Sequence, residues 1–279
     1  MNNIPVSSEA KEIYKKALKY VTRIQLELRN KDTFAVAELF EIAALMAQSI
    51  RQSEQLSSYA IYYFDVQDIA RSHVVNVAIF SIALSMGIGY GDDELTEVGA
   101  AGLLHDVGIG KIPADLFHGK IESLNRAEQK IVEMHSEFGY RAILESDHNL
   151  ENLAICTLQH HERIDGTGYP NRLHDKQIDP CAKILAIIDT YEALIHPRDY
   201  RDTLVPPLGL KEIITQKGTS FSPELVRHLI EHISIYPVGC FVLLNSGETA
   251  KVIKTNRGNP VRPVVRILYD SKGYPAKQQ

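Results

Sequence analysis

The chain has 279 residues, 44% of them hydrophobic, and a formal charge of -5 with a sequence pI near 6.1. That length and composition fit one sizeable globular domain with additions, or two smaller ones, and argue against disorder. The acidic balance excludes a DNA or RNA coat, which needs a basic stripe, but leaves room for local arginines to hold one small anion.

The N-terminus, MNNIPVSSEAKEIYKK, lacks a basic start followed by an apolar core, and no stretch approaches 18 uninterrupted apolar residues. A cytoplasmic protein with no membrane partner is the expectation. From Ser8 to about Asn30, Ile13, Leu18, Val21, Ile24 and Leu28 recur at helical steps, and a second amphipathic helix is expected from about Asp32 to Arg51. These helices, in residues 1–60, pack either on the main body or on a second subunit as a homodimer. The segment from Ser72 to Met86 is apolar nearly all round, as in a helix at the centre of a bundle, and Gly87, Gly89 and Gly91 end it.

Asp92 and Asp93 suit the N-cap of a helix carrying Leu95, Val98, Leu103 and Leu104 into His105. Asn125 to Glu128 fits a loose capping box, opening a helix with Ile131, Met134, Phe138 and Ile143 and with His135 in its middle. Residues 149 to 162 read as another helix, Pro180 as the first residue of one running through Ile184, Ile188 and Leu194, and Ser222-Pro223 as the start of a last one. After about Tyr236 the pattern alternates and is rich in β-branched residues, with Asn245-Ser246-Gly247 as a turn and Val264 to Tyr269 as a third strand. The expected fold is an all-α helical bundle, with its main domain at 61–234 and a short C-terminal β-strand appendage at 235–279. Cys156, Cys181 and Cys240 are widely spaced in apolar surroundings and read as buried thiols.

Chemistry concentrates in two pairs, His105-Asp106 and His160-His161, the second opening the run HHERIDGTGYP. With His73, His135 and Asp189 they supply five imidazoles and two carboxylates, a nitrogen-oxygen donor set suited to two first-row divalent ions. Asp106 could offer one oxygen to each ion. Asp189 lies in the apolar run AKILAIIDTYEALI, where an unpaired buried carboxylate is costly and a metal would remove the difficulty. His118, His148, His174, His196, His228 and His232 belong to no such pattern and are assigned to surface or packing.

In order, His73, LLHDVGIGKIP, His135, HHERIDGTGYP and DTYEALIHPRDYR resemble the HD-GYP family, a bacterial branch of the HD phosphohydrolases, over about residues 70 to 230. Gly166, Gly168, Tyr169 and Pro170 follow the paired histidines at that family's spacing. The resemblance implies an HD-domain helical bundle and a phosphodiesterase that hydrolyses cyclic di-GMP to pGpG, and onward to GMP in some members, through a metal-bridging hydroxide. It implies one metal, iron or manganese foremost, on His73, His105, Asp106 and Asp189, and a second on Asp106, His135, His160 and His161.

Ile69 stands where some members place a glutamate for a third metal, which favours two ions. Ile109 stands where most have a lysine near the scissile phosphate; Lys111 either reaches that phosphate from two residues further on, or the contact is missing. Arg198 and Arg201 match positions that contact the cyclic dinucleotide, and their guanidinium forks suit phosphate and guanine. Tyr169 could stack on a base or brace its loop. Two alternatives stay open: a hydrolase of a mixed adenine-guanine cyclic dinucleotide, and a weakly active cyclic di-GMP sensor that docks on signalling partners.

Overall fold

The computed structural model describes residues 7–63, 69–113, 116, 124–197, 203–233, 236–256, 259 and 261–276. Helices dominate: α1 Ser8–Asn30, α2 Leu39–Gln52, α3 Gln55–Tyr62, α4 Ile69–Ile88, α5 Asp92–Leu104, α6 Arg126–Glu133, α7 His135–Ser146, α8 Glu151–Gln159, α9 Pro180–Ile195, α10 Pro206–Thr215 and α11 Pro223–His232. A 3-10 turn, Val107–Lys111, follows α5. The chain closes on an antiparallel sheet of order β1-β2-β3, Phe241–Leu243, Thr249–Lys254 and Val264–Tyr269.

Helix α4 is the axis of the bundle, packed by α1, α2, α3, α5, α9 and α11. Length and hydropathy alone would let it cross a membrane, but 72% of its apolar window is buried inside the protein. Helix α1 starts where the Ser7 hydroxyl accepts from the Ala10 amide. Its Tyr14, Ala17, Val21, Ile24 and Leu28 are buried in the same continuous core as α4 and α9. Burying each of its larger aliphatic side chains contributes about 1.5–3 kcal/mol, so the N-terminal helices spend their apolar face within the chain.

Several expected boundaries move. Helix α2 begins at Leu39 rather than Asp32, because the Phe34 amide donates to the Ser146 hydroxyl, the Ala35 amide donates to the Glu27 carboxylate, and Glu38 turns at φ 73°. Gly91, not Asp92 or Asp93, caps α5; its amide donates to Glu94, and the two aspartates occupy the first turn, where the helix dipole favours them. Gly87 lies inside α4, where the His232 ring fills the space of a Cβ. The region expected as one helix from Asn125 breaks at Met134, which makes His135 the first residue of α7 instead of a mid-helix residue. Helix α8 is shorter than the expected 149–162, so His160 and His161 follow its end.

The sheet buries Ala250 and Val252 of β2, pairing Val242 with Ala250 and Ala250 with Ile267. It is tied to the helices by Thr255, whose hydroxyl donates to Glu54 over 2.8 Å.

Candidate metal centre

Three of the histidines, His105, His135 and His160, are aimed by the ends of their own helices. His105 follows α5, and its Nδ1 donates to the Gly102 carbonyl three residues back, at 2.8 Å. His135 does the same to Val132 and His160 to Thr157, both at 2.7 Å. A carbonyl only accepts, so Nδ1 carries the proton, and in the neutral ring Nε2 turns its lone pair inward. The break at Met134 is what lets His135 reach back to Val132. His73 is held differently: its Nδ1 is hydrogen-bonded to the buried Glu192 carboxylate.

All seven residues singled out in the sequence converge. Asp106 Oδ1 faces His135 and His160 at 3.3 and 3.6 Å, while Oδ2 faces His105 and His73 at 3.5 and 3.9 Å. Asp189 divides in the same way, with Oδ1 3.0 Å from His73 Nε2 and Oδ2 3.9 Å from His161 Nδ1. Two donor groups result: Asp106 with His135, His160 and His161, and Asp106 with His73 and His105.

The electrostatics fit a divalent metal site. His135 Nε2 lies 3.4 Å from His160 Nε2 and 3.1 Å from His161 Nε2, so ring nitrogens crowd together with the Nδ1 protons of His135 and His160 already spent on backbone. Among the described residues, His105 Nε2 is buried without a hydrogen-bond partner. Lone pairs gathered this way repel one another unless a cation stands among them. Burial pushes the His105 imidazole down to about 4 and also lowers His135 and His161. For Asp106, burial opposes ionisation, but the imidazoles of His105, His160 and His135 outweigh it and hold the carboxyl well below its usual range. His73 and His161 likewise keep Asp189 ionised against its burial.

These shifts make the metal-free protein acid-sensitive. A histidine kept neutral by folding takes up its proton more readily when unfolded, so its contribution is intact above about 6.5 and is lost as pH falls toward about 4. His105 alone is worth on the order of 3 kcal/mol across that window, and the lowered carboxylates lose theirs below about 4. Urea midpoints of chelator-treated protein should therefore fall steadily from pH 7 to pH 4. A flat profile would mean that the imidazoles are solvated.

Behind the seven side chains stand residues that carry no local signal of their role. Glu192 and His196 are buried beside His73, and His196 is not a surface or simple packing residue: its Nδ1 lies 2.9 Å from Glu192 Oε1. Glu162 accepts the amides of Asn171 and Leu173 at 2.7 and 2.9 Å, which folds the GTGYP loop back on the histidines. Arg163 donates to the His160 carbonyl and packs over Phe221. The Tyr169 ring lies 4.6 Å from the His161 ring and 6.4 Å from that of His135, at the edge of the cluster. Lys111 stands elsewhere, its Nζ donating to the Lys31 carbonyl at 2.7 Å and pairing with Asp32 at 2.9 Å, at the end of α1. Arg198 and Arg201 lie outside the described residues, as does His118.

Comparison with known proteins gives the family. The HD domain family profile matches residues 66–225, more than half of the chain. The chain belongs to the HD-domain family. Within it, the HHERIDGTGYP run is that of the HD-GYP branch. A second profile, described as a KOW domain associated with HD domain, matches residues 241–279, the segment that holds the sheet.

Among curated relatives of this HD-domain chain, a Pseudomonas aeruginosa protein named cyclic di-GMP phosphodiesterase is 32% identical over 208 residues, covering 74% of this chain and 50% of that one. A Vibrio cholerae protein named 3′3′-cGAMP-specific phosphodiesterase 2 is 36% identical over 162 residues, 58% of this chain and 31% of that one. A Borreliella burgdorferi protein named cyclic di-GMP phosphodiesterase PdeB is 27% identical over 213 residues, 75% of this chain and 55% of that one. The chain thus spans about half the length of these relatives, or less. A solved structure described as an HDG"Y"P protein from Bdellovibrio bacteriovorus superposes with a TM-score of 0.67 at 19% identity, covering 82% of this chain and 73% of that one. It shares the fold.

Proposed function

We propose that this chain is a metal-dependent cyclic-dinucleotide phosphodiesterase that opens cyclic di-GMP to pGpG, with GMP as a possible second product. The observation that carries the reading is the split of Asp106 and Asp189 between two groups of inward-facing imidazoles. His73, His105, Asp106 and Asp189 would hold one ion and Asp106, His135, His160 and His161 the other, iron or manganese suiting a set without thiolates. Bound ions would supply Lewis acidity and a water acidic enough to act as a nucleophile near neutral pH.

The chain's own groups do the rest. Asp106 and Asp189 bring negative charge that keeps the two halves of the centre together. Burial holds the Tyr169 hydroxyl protonated, ready to donate to a phosphate oxygen or to support a base. Arg198 and Arg201 are proposed to grip the dinucleotide. For Lys111 to contact the phosphate, it would have to leave Asp32 and the Lys31 carbonyl.

The relatives named for cyclic di-GMP and for 3′3′-cGAMP support a cyclic dinucleotide as ligand and leave the choice between them to experiment. The engagement of Lys111 elsewhere favours one second reading, a slow enzyme serving as a cyclic di-GMP sensor in the cytoplasm. A homodimer or a signalling partner on the N-terminal helices would use their outer faces, where Leu26 and Phe40 are exposed.

The test is a panel of cyclic di-GMP, 3′3′-cGAMP and pGpG on protein purified without oxygen and loaded with iron(II) or manganese, with metal content measured on the same sample. Two ions per chain and hydrolysis of cyclic di-GMP to pGpG are expected. Tight binding without product would support the sensor. Two bound ions with neither binding nor hydrolysis of any cyclic dinucleotide would remove the proposal.

A further inference from the structure

The carboxylate of Glu192 is a junction. One oxygen meets Nδ1 of the metal-ligand candidate His73; the other accepts from the Asn76 amide at 3.0 Å and lies 2.9 Å from His196 Nδ1. Both of these partners lead outward to the N-terminal helices. The Tyr14 hydroxyl of α1 donates to Asn76 Oδ1 at 2.9 Å, and the Asn76 amide is thereby oriented so that its nitrogen faces Glu192. His196 Nε2 reaches the Ile61 carbonyl of α3 at 3.1 Å. Tyr14 itself is wedged edge-on against Tyr59 and Tyr63 at the C-terminal end of α3, with ring centroids 5.2 and 5.1 Å away.

Tyr14, Asn76, Glu192, His196 and His73 are all no more than 4% exposed. Polar groups so deeply buried cost free energy unless they are satisfied, and partners this close restrict the arrangements open to them. A carboxylate behind a ligating histidine fixes its ring and raises its basicity.

We propose that Glu192 is the positioning residue for His73, and that the Asn76–Tyr14 and His196–Ile61 branches extend its hold to α1 and α3, making the N-terminal helices part of the metal centre. This rests on the dinuclear reading above. It also gives those helices a role in activity: a displacement of α1 or α3 would be felt at His73.

The test titrates cobalt(II) into chelator-treated full-length protein, following its visible d–d absorption, for wild type, Glu192→Gln, Tyr14→Phe and Tyr20→Phe. Tyr20→Phe is the control, since it removes a hydroxyl from the same helix that bonds only the Ala35 carbonyl among the described contacts. Glu192→Gln should weaken cobalt binding about 10–100-fold and shift the spectrum. Tyr14→Phe should weaken it roughly 3–10-fold in the same direction, and Tyr20→Phe should match wild type. Equal affinity and spectrum in wild type and Tyr14→Phe, or an equal loss in Tyr14→Phe and Tyr20→Phe, would overturn the proposal even if Glu192→Gln failed to fold. Absence of cobalt uptake by wild type would instead bring down the dinuclear reading, and this proposal with it.

Discussion

Asp106→Ala should lose turnover on the order of 10³-fold or more, because one side chain serves both donor groups. Its two oxygens lie on opposite sides, toward His135 and His160 on one and toward His105 and His73 on the other. Alanine therefore removes a ligand from each prospective ion at once and leaves the imidazoles without their central counter-charge. Metal content should fall together with activity. Asp106→Asn separates charge from shape, since it keeps the volume and one acceptor oxygen while losing the negative charge, and it should be almost as inactive. Wild-type rates on cyclic di-GMP in either variant would remove Asp106 from the chemistry.

Gly108→Ala should destabilise the fold by about 3 kcal/mol, through overpacking rather than through lost chemistry. A Cβ at this position would lie 2.0 Å from the His135 carbonyl oxygen and 2.4 Å from the Gly139 nitrogen. Both neighbours are backbone, so relief requires α7 to withdraw from the turn that follows Asp106. His135 would withdraw with it, lengthening its 3.3 Å approach to Asp106 and weakening metal binding on that side. Urea unfolding of the metal-free variant measures the first effect, and metal titration the second. A change below about 0.5 kcal/mol would show that the turn and α7 can part without cost.

The seven candidate ligands stood out in the sequence because their spacing and residue types are uncommon together, and because Asp189 sits in a run too apolar to carry a free carboxylate. The same argument applies to Glu192, three residues later and equally buried. What the sequence could not supply was its partner, since His73 lies 119 positions away and nothing local joins them. The break at Met134 was hidden for a different reason: Ile131, Met134 and Phe138 keep a helical rhythm across it, and only the backbone shows the interruption. The tether of Lys111 to Asp32 is likewise a long-range accident of packing, 79 residues apart, with no local signal at either end. The bundle itself was easier to read, because α1, α4 and α9 each carry a long apolar pattern that has no stable place except in a shared interior.

His105, His135 and His160 each lean on a carbonyl of the helical turn just before them. The entropy of aligning these donors is therefore spent while the polypeptide folds, not when an ion arrives. Capture of a cation should then be limited by its access and by shedding its hydration water, with little rearrangement of protein. The apoprotein would wait as a rigid mould, able to lose and regain its ions without refolding around them.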